Sequence, residues 1–293
     1  MMNRREWLAA TVAAASAIAA KTPVKAPVLG ASLIAASGLL KKDPDGALQA
    51  IADIGYRDVE GFNRVQMVAL APRFQAHGLT LRSCPMETPL VTADWELYPE
   101  LKRVTLDEAL DSLKSAGVEY CTQGYMSPGA RGDADDFFRR AADRMNVIAE
   151  RCHRMGMQFA WHNHAFEFGG RPGLRPIDIY RERLDAKLVG LELDVFWAGV
   201  AGQNLLSLLK DFKGQVWLLR LGDKTRGTPV VPSEDIEDGA FAEPGEGVLD
   251  FAAILRAAPA AGARYYFAGS ERAAAADPLD DLRKSFTYFR KLV

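Results

Sequence analysis

Short, almost wholly apolar stretches alternate with amphipathic stretches along most of this chain. Apolar runs such as LVGLELDVFW (188–197) and QVWLLRLGDK (215–224) are hydrophobic on both faces, which is typical of strands buried inside a parallel sheet. The intervening stretches, such as LDEALDSLKSAG (106–117) and the long segment 133–156, have apolar residues at helical spacing and end in glycine. The pattern predicts strands and helices in regular succession.

Eight such strand–helix units follow one another between residues 26 and 293. Strands that alternate with helices predict a parallel sheet, and eight units in a chain of 293 residues favour one closed α/β (β/α)8 TIM barrel over an open doubly wound sheet. No GxGxxG turn follows the first strand, so we expect no nucleotide cofactor. Residues 225–246 form a long predicted loop rich in Pro, Gly and acids, and such loops are often functional.

The N-terminus departs from this pattern. It reads MMNRREWLAATVAAASAIAAK, with two arginines ahead of a short alanine-rich run and small residues near position 19. This layout predicts an export signal over residues 1–20. The Arg4-Arg5 pair favours a twin-arginine signal over a plain Sec signal. We therefore expect a periplasmic or exported barrel that has no membrane segment after cleavage.

The overall charge bears on the partners. The formal net charge is −2, which offers no basic surplus for phosphate neutralisation and argues against a nucleic-acid binder. The composition does not decide the oligomeric state, and a homo-oligomer stays open.

Polar side chains collect where the predicted strands end, which is where the active sites of barrels lie. Glu192 and Asp194 interrupt an apolar run and point to the same face, since residues two apart in a strand do so. Two buried acids without partners cost several kcal/mol, so they require a cation, a histidine or an arginine. The candidates are a structural pair with Arg220 or a divalent metal. The other polar strand-end residues are Glu60, Cys84, Tyr125, His162, His164, Glu167, Arg220, Asp223, Ser270 and Glu271.

Several segments together resemble the sugar phosphate isomerase/epimerase family of xylose-isomerase-like TIM barrels, over roughly residues 26–293. The segments are HNHAFEF (162–168), LELDVFWAGVAG (191–202), GQVWLLRLGDK (214–224), PGEGVLDFAAIL (244–255) and YYFAGSERAAAADPLDDLRKSFTYFR (265–290).

The resemblance implies one divalent metal, often manganese, at the barrel mouth, held by Glu, Asp, His and Glu. Glu167 and Asp194 match the first two ligands, but Arg220 replaces the histidine and Gly269 replaces the second glutamate. Arg220 places a permanent cation where a dication would sit. We therefore expect a degenerate metal site with no metal at the usual position. The alternative is a relocated site that includes His164 or Glu271.

The resemblance also implies a reaction. A small carbohydrate would lose a proton beside a carbonyl, as in a sugar isomerase or epimerase, with Arg220 stabilising the oxyanion. The open alternatives are a metal-independent sugar lyase and a non-catalytic periplasmic carbohydrate-binding barrel. The expected catalytic side chains are Glu167, His162, His164 and Glu271. The side chains expected to contact the sugar are Glu60, Trp197, Arg220 and Asp223.

Overall fold

Eight parallel strands close into a barrel at the centre of the protein. The computed structural model describes residues 27–131, 135–269 and 277–293. The strands are β1 (Val28–Ser32), β2 (Asp58–Glu60), β3 (Thr80–Met86), β4 (Tyr120–Gln123), β5 (Gln158–His162), β6 (Val189–Asp194), β7 (Val216–Leu221), β8 (Asp223–Lys224), β9 (Phe241–Ala242) and β10 (Tyr265–Ala268). The barrel order is β1-β10-β7-β6-β5-β4-β3-β2, and β8 and β9 form a separate antiparallel ribbon. The predicted (β/α)8 barrel is confirmed.

Helices surround the barrel and follow its strands. They are α1 (Ser37–Lys42), α2 (Pro44–Ile54), α3 (Arg64–Ala76), α4 (Pro89–Thr92), α5 (Leu106–Ser115), α6 (Pro128–Arg131), α7 (Asp135–Arg154), α8 (Pro176–Arg183), α9 (Val195–Val200), α10 (Leu205–Asp211), α11 (Phe251–Ala261) and α12 (Pro278–Phe289). Local sequence sets their starts, since Thr105 and Glu108 form a reciprocal capping box on α5. A proline inside a helix commonly breaks it, but α3 continues through Pro72.

Burial agrees with the apolar strand pattern. Every residue of β6 and β7 is buried, as expected for parallel strands covered on both faces. The large core lies mainly between barrel and helices, and a second cluster comprises Tyr120, Ala160, Trp217, Leu218 and Phe267. Gly190 makes room for this cluster, since a Cβ there would lie 2.2 Å from the Trp217 ring.

The predicted export signal lies outside the described residues and stays a prediction. Across the described part of the chain, none of the helices combines the length and apolar character that a membrane span requires.

Candidate functional site

A cavity of about 320 Å³ opens at the end of the barrel where the strands terminate. This is the end at which barrel enzymes hold their active sites. The titratable side chains that barrel strands and the β5 loop contribute to its lining are Glu60, His162, His164, Glu192 and Arg220. All five are at least nine-tenths buried, so their charges interact in a poorly solvated space.

Arg220 and Glu60 form a buried ion pair across the mouth. Arg220 Nη1 donates a hydrogen bond to Glu60 Oε2, although β7 and β2 are separated in the barrel by β10 and β1. The pairing register shifts at Val59/Glu60 in β2 and again at Leu191/Glu192 in β6. Such irregularities re-aim side chains and are frequent beside active sites. The pairing of β2 is therefore irregular at Glu60 and that of β6 at Glu192, and both acids line the cavity.

The pKa of the Glu60 carboxyl is raised well above its usual range. Burial is the main cause, and the charge of Glu192 together with a hydrogen bond between the two carboxyls raises it further, while Arg220 opposes the shift. Two neighbouring carboxyls with different surroundings beside one fixed cation can supply a proton donor and a proton acceptor in the same place.

His162 lies between the two acids of β6. Its Nδ1 is 3.1 Å from Glu192 Oε2, and its Nε2 is 3.6 Å from Asp194 Oδ2. The β5–β6 register sets this contact, since His162 pairs directly with Glu192. The two acids therefore both face His162, as the period of a strand predicts, and the ring orients the Glu192 carboxylate.

His164 adds a neutral ring to the cavity wall. Burial lowers its pKa well below the usual range, and the charges of His162, Arg131 and Arg220 act in the same direction. Its Nδ1 has no hydrogen-bond partner among the described residues. The ring centroid lies 4.9 Å from that of Tyr125, which also lines the cavity. His164 thus presents an uncharged surface with an available ring nitrogen.

Glu167, the expected first ligand and catalytic acid, lies away from the cavity lining. It belongs to a 3-10 turn, Phe166–Phe168, and its Oε2 accepts a hydrogen bond of 2.8 Å from the backbone N–H of His164. Burial raises its pKa well above the usual range in spite of that bond. The carboxyl therefore stabilises the turn that presents His164.

Two further candidates support local structure. Asp194 Oδ1 accepts the Trp197 backbone N–H at 2.9 Å and caps α9. The Trp197 ring packs on Phe196 and Phe241, with centroids 5.0 Å and 6.2 Å away, and is not part of the cavity lining.

Asp223 holds the long loop that follows β7. Its carboxylate accepts backbone N–H groups from Lys224, Gly245, Gly247 and Leu249 at 2.8 to 3.2 Å. It lies outside the main cavity and is 1% exposed. We read it as a loop anchor, although the sequence suggested contact with a sugar.

The same loop crosses to the strand β5 side of the mouth. Glu234 accepts the Phe166 backbone N–H at 3.0 Å and a hydrogen bond from Arg131 at 3.1 Å. The Arg131 guanidinium lies 3.8 Å above the Phe166 ring centre. These contacts place the loop beside the wall that carries Tyr125 and His164.

The donors at the mouth do not fit the metal that the resemblance implies. Within the described ranges, no group of three or more His, Cys, Asp and Glu side chains is arranged to hold an ion. Arg220 brings a guanidinium to the mouth, where its positive charge would repel a dication. Gly269 has a φ of 145°, and a Cβ there would lie 3.1 Å from the Ser32 carbonyl oxygen. The backbone at 269 therefore resists the glutamate that the resemblance calls for. Glu271 lies outside the described residues.

From the sequence, Glu192 was expected only to be a buried acid that needs a partner, and Tyr125 only to be a polar residue at a strand end, while Arg64 and Glu87 carried no expectation. All four line the cavity. The cost of an acid in an apolar run was the available signal for Glu192. Arg64 begins α3, and Glu87 and Tyr125 lie in the loops after β3 and β4, whose conformation no residue pattern revealed.

Known proteins agree with this fold. A family model described as a xylose isomerase-like TIM barrel matches residues 48–292. An inosose dehydratase from Geobacillus thermodenitrificans is 26% identical over 158 residues. That match spans about half of each protein, 51% of this chain and 52% of the relative.

Solved structures of similar fold include a sugar phosphate isomerase/epimerase from Parabacteroides distasonis. It has a TM-score of 0.70 at 18% identity, over 92% of this chain and 95% of the other. A 3-keto-D-glucoside 4-epimerase from E. coli has a TM-score of 0.64 at 16% identity, over 90% and 99% of the two chains. At these identities the likeness concerns the fold.

Proposed function

Since the chain belongs to the xylose isomerase-like TIM barrel family, we propose that it is a carbohydrate-processing enzyme that removes a proton beside a carbonyl without a metal at the usual family position. The observation that carries the proposal is the buried group of Arg220, Glu60, Glu192 and His162 at the cavity floor. One fixed cation beside two buried carboxyls matches the needs of enolisation.

Each residue has a distinct role in this reaction. Glu192, oriented by His162, accepts the proton from the carbon next to the carbonyl. The Arg220 guanidinium stabilises the negative charge that develops on the carbonyl oxygen, as metals do in other enzymes. Glu60, whose pKa is raised well above the usual range by burial, is the acid that returns a proton to the intermediate.

Two outcomes follow from the same intermediate. Return of the proton to a different atom gives an isomer. Return of the proton to the same carbon from the opposite face gives an epimer. Expulsion of a hydroxyl group as water gives a dehydration product. The similarity to an inosose dehydratase favours dehydration as the second candidate. The two relatives named for inosose and 3-keto-D-glucoside suggest carbonyl-bearing sugars for the first trials.

Deuterium incorporation from heavy water tests the shared first step. Purified protein is incubated in D₂O with aldoses, ketoses, inososes and 3-keto-glucosides, and mass spectrometry detects deuterium in recovered sugar or product. We expect incorporation with at least one sugar, and a loss of about 10²–10⁴-fold in Glu192→Gln, which keeps the shape and removes the base.

The neighbouring buried acid Glu167 supplies the control. Glu167→Gln changes a carboxyl that lies away from the cavity lining, and we expect incorporation to stay within about threefold in the folded variant. Tight sugar binding with no incorporation across the whole panel would show a non-catalytic binding barrel and contradict the proposal.

A further inference from the structure

The cavity has two sides of different chemistry. The reactive side consists of Glu60, His162, Glu192 and Arg220. The other side comes from the loops that follow β1, β2 and β4, from the end of β3, from the first turn of α3 and from the segment between α4 and α5. We call this side the apolar wall, and it comprises Ile34, Phe62, Val65, Met86, Leu101 and Tyr125. Both sides line one continuous space, so a ligand held by the first also meets the second.

Part of the apolar wall is open to solvent. Val65 is 59% exposed, Tyr125 39% and Ile34 36%. These side chains lie together at one cavity instead of being scattered over the surface. Apolar groups gathered at the edge of a polar site are typical of ligand pockets. A ligand that covered them would remove apolar surface from water and gain affinity.

The charged pair on this side is internally balanced. Arg64 Nε lies 2.9 Å and 2.8 Å from the two carboxylate oxygens of Glu87, and Arg64 Nη1 donates to Ser112 Oγ at 2.8 Å. The Arg64 and Glu87 side chains are only 9% and 5% exposed. Because Glu87 neutralises Arg64, this pair offers no net positive charge to an anionic ligand.

The same balance holds for the cavity as a whole. The charged residues in its lining are two arginines and three acids, Arg64, Arg220, Glu60, Glu87 and Glu192. A phosphate group needs cations that exceed the local negative charge, and proteins supply them as clustered Arg and Lys. The described lining has no such excess, so a phosphorylated sugar would lose its hydration without gaining a matching partner.

We propose that the apolar wall is a subsite for an uncharged, apolar substituent carried by the sugar, such as an aryl aglycone. The inference rests on the proposed function, because it assumes that the sugar ring occupies the reactive side. It goes beyond that function by naming the substrate class as a glycoside that carries a ring carbonyl and an apolar aglycone, instead of a sugar phosphate. The volume of about 320 Å³ lies near the lower end of ligand pockets, about 300–1,000 Å³, which suits one sugar ring with one small substituent.

Calorimetric binding of matched ligands tests the subsite without requiring turnover. The probes are methyl and phenyl glycosides of glucose, galactose, mannose and xylose, with glucose 6-phosphate as the charged comparison. In at least one sugar series we expect the phenyl glycoside to bind about tenfold more tightly than its methyl partner, and the phosphate to bind more weakly than either.

Val65→Asp is the test variant, because Val65 is exposed and lies in the first turn of α3, where an acid favours the helix. We expect it to reduce the phenyl preference to about threefold or less. Val147→Asp is the matched control, since Val147 is 50% exposed on α7 and is not in the cavity lining. The control should keep the full preference.

Equal affinity for phenyl and methyl partners in every series, no binding of any phenyl glycoside, tightest binding of the phosphate, or an equal effect of Val147→Asp would each overturn the subsite. The proposed function fails separately. A phenyl preference without deuterium incorporation from any sugar would support the subsite and contradict the proposed enzymatic function. Deuterium incorporation without a phenyl preference would support the enzymatic function and contradict the subsite.

Discussion

Each end of the barrel has an arginine beside two acids, and the two groups differ in what surrounds them. At the end where the strands begin, Arg82 donates to Asp58 at 2.6 and 2.8 Å and to Glu119 at 3.0 Å, and it lies 5.1 Å above the Tyr265 ring centre. At the mouth, Arg220 bonds Glu60 beside Glu192.

The surroundings assign different roles to similar side chains. Arg82 is 24% exposed and contacts both of its acids, and none of these three residues lines the cavity. The Arg220 and Glu60 side chains are 6% and 4% exposed, and both line the cavity. The pKa of the Glu60 carboxyl is raised. A solvated pair of this kind stabilises modestly, whereas a dry cluster at a cavity keeps charges ready for a ligand. The comparison suggests that the first group is structural and the second chemical.

Loss of each arginine side chain should separate the two roles most clearly. We expect Arg220→Met to reduce deuterium incorporation by about 10²–10³-fold, the typical cost of removing an oxyanion stabiliser. Arg82→Met should leave incorporation within about threefold and lower the free energy of unfolding by about 1–3 kcal/mol, because Asp58 and Glu119 lose their common partner. Mass-spectrometric exchange rates and urea unfolding check the two expectations.

Arg220→Lys is a second test variant, which keeps the prediction testable if Arg220→Met misfolds. Lysine keeps the charge but not the planar fork, so partial activity between wild type and Arg220→Met is expected. Equal losses of activity in the Arg82 and Arg220 variants would contradict the assignment of a structural role to Arg82 and a chemical role to Arg220.

Asp223 sharpens the comparison, because it is an acid near the mouth that we assign to structure. Asp223→Asn keeps the size but removes the charge and one acceptor oxygen from the four backbone N–H groups. We expect the free energy of unfolding to fall by about 2 kcal/mol, with faster amide hydrogen exchange in residues 223–249. A folded variant with normal loop protection but no sugar binding would instead assign Asp223 to the ligand.

The smallest expected effect is on the pH dependence of stability. Because the folded-state pKa of Glu60 is raised, folded protein keeps a proton that unfolded protein releases between the usual carboxyl pKa and the raised value. Stability should therefore fall as pH rises through this window, by up to about 1.4 kcal/mol per pH unit from this group.

Urea unfolding at several pH values measures this slope. Glu60→Gln removes the titrating group and should make the slope less negative, whereas Asp58→Asn at the opposite end should leave the mouth contribution in place. An unchanged slope in Glu60→Gln would contradict the raised pKa that the mouth chemistry requires of Glu60.

Strand and helix periodicity was sufficient to predict the barrel, because buried parallel strands and amphipathic helices each have a distinct residue pattern. The position of the site followed from the barrel, since its strand ends meet at one mouth. His162, Glu192 and Arg220 were visible as polar residues in strands that are otherwise apolar. These three side chains meet at one cavity because of the pairing register of their strands and the closure of the sheet into a barrel.

The direction of side chains in the turns was not predictable in this way. Glu167 lies five residues after His162 in a motif, but the 3-10 turn bonds its carboxylate to the His164 N–H. The pair Glu60 and Arg220 is separated by 160 positions, and Asp223 binds amides more than twenty residues ahead. Such contacts depend on loop conformation, which leaves no periodic trace in a sequence.

A fixed arginine, and not a metal at the family position, supports proton abstraction at the mouth in the proposed reaction. The most direct test measures deuterium incorporation by protein that has been treated with a chelator and shown by elemental analysis to be free of metal, using the sugar found active in the panel. We expect incorporation to continue at the untreated rate and to stay unchanged when manganese is added. Loss of incorporation on chelation, with recovery on addition of manganese or zinc at one ion per chain, would contradict it.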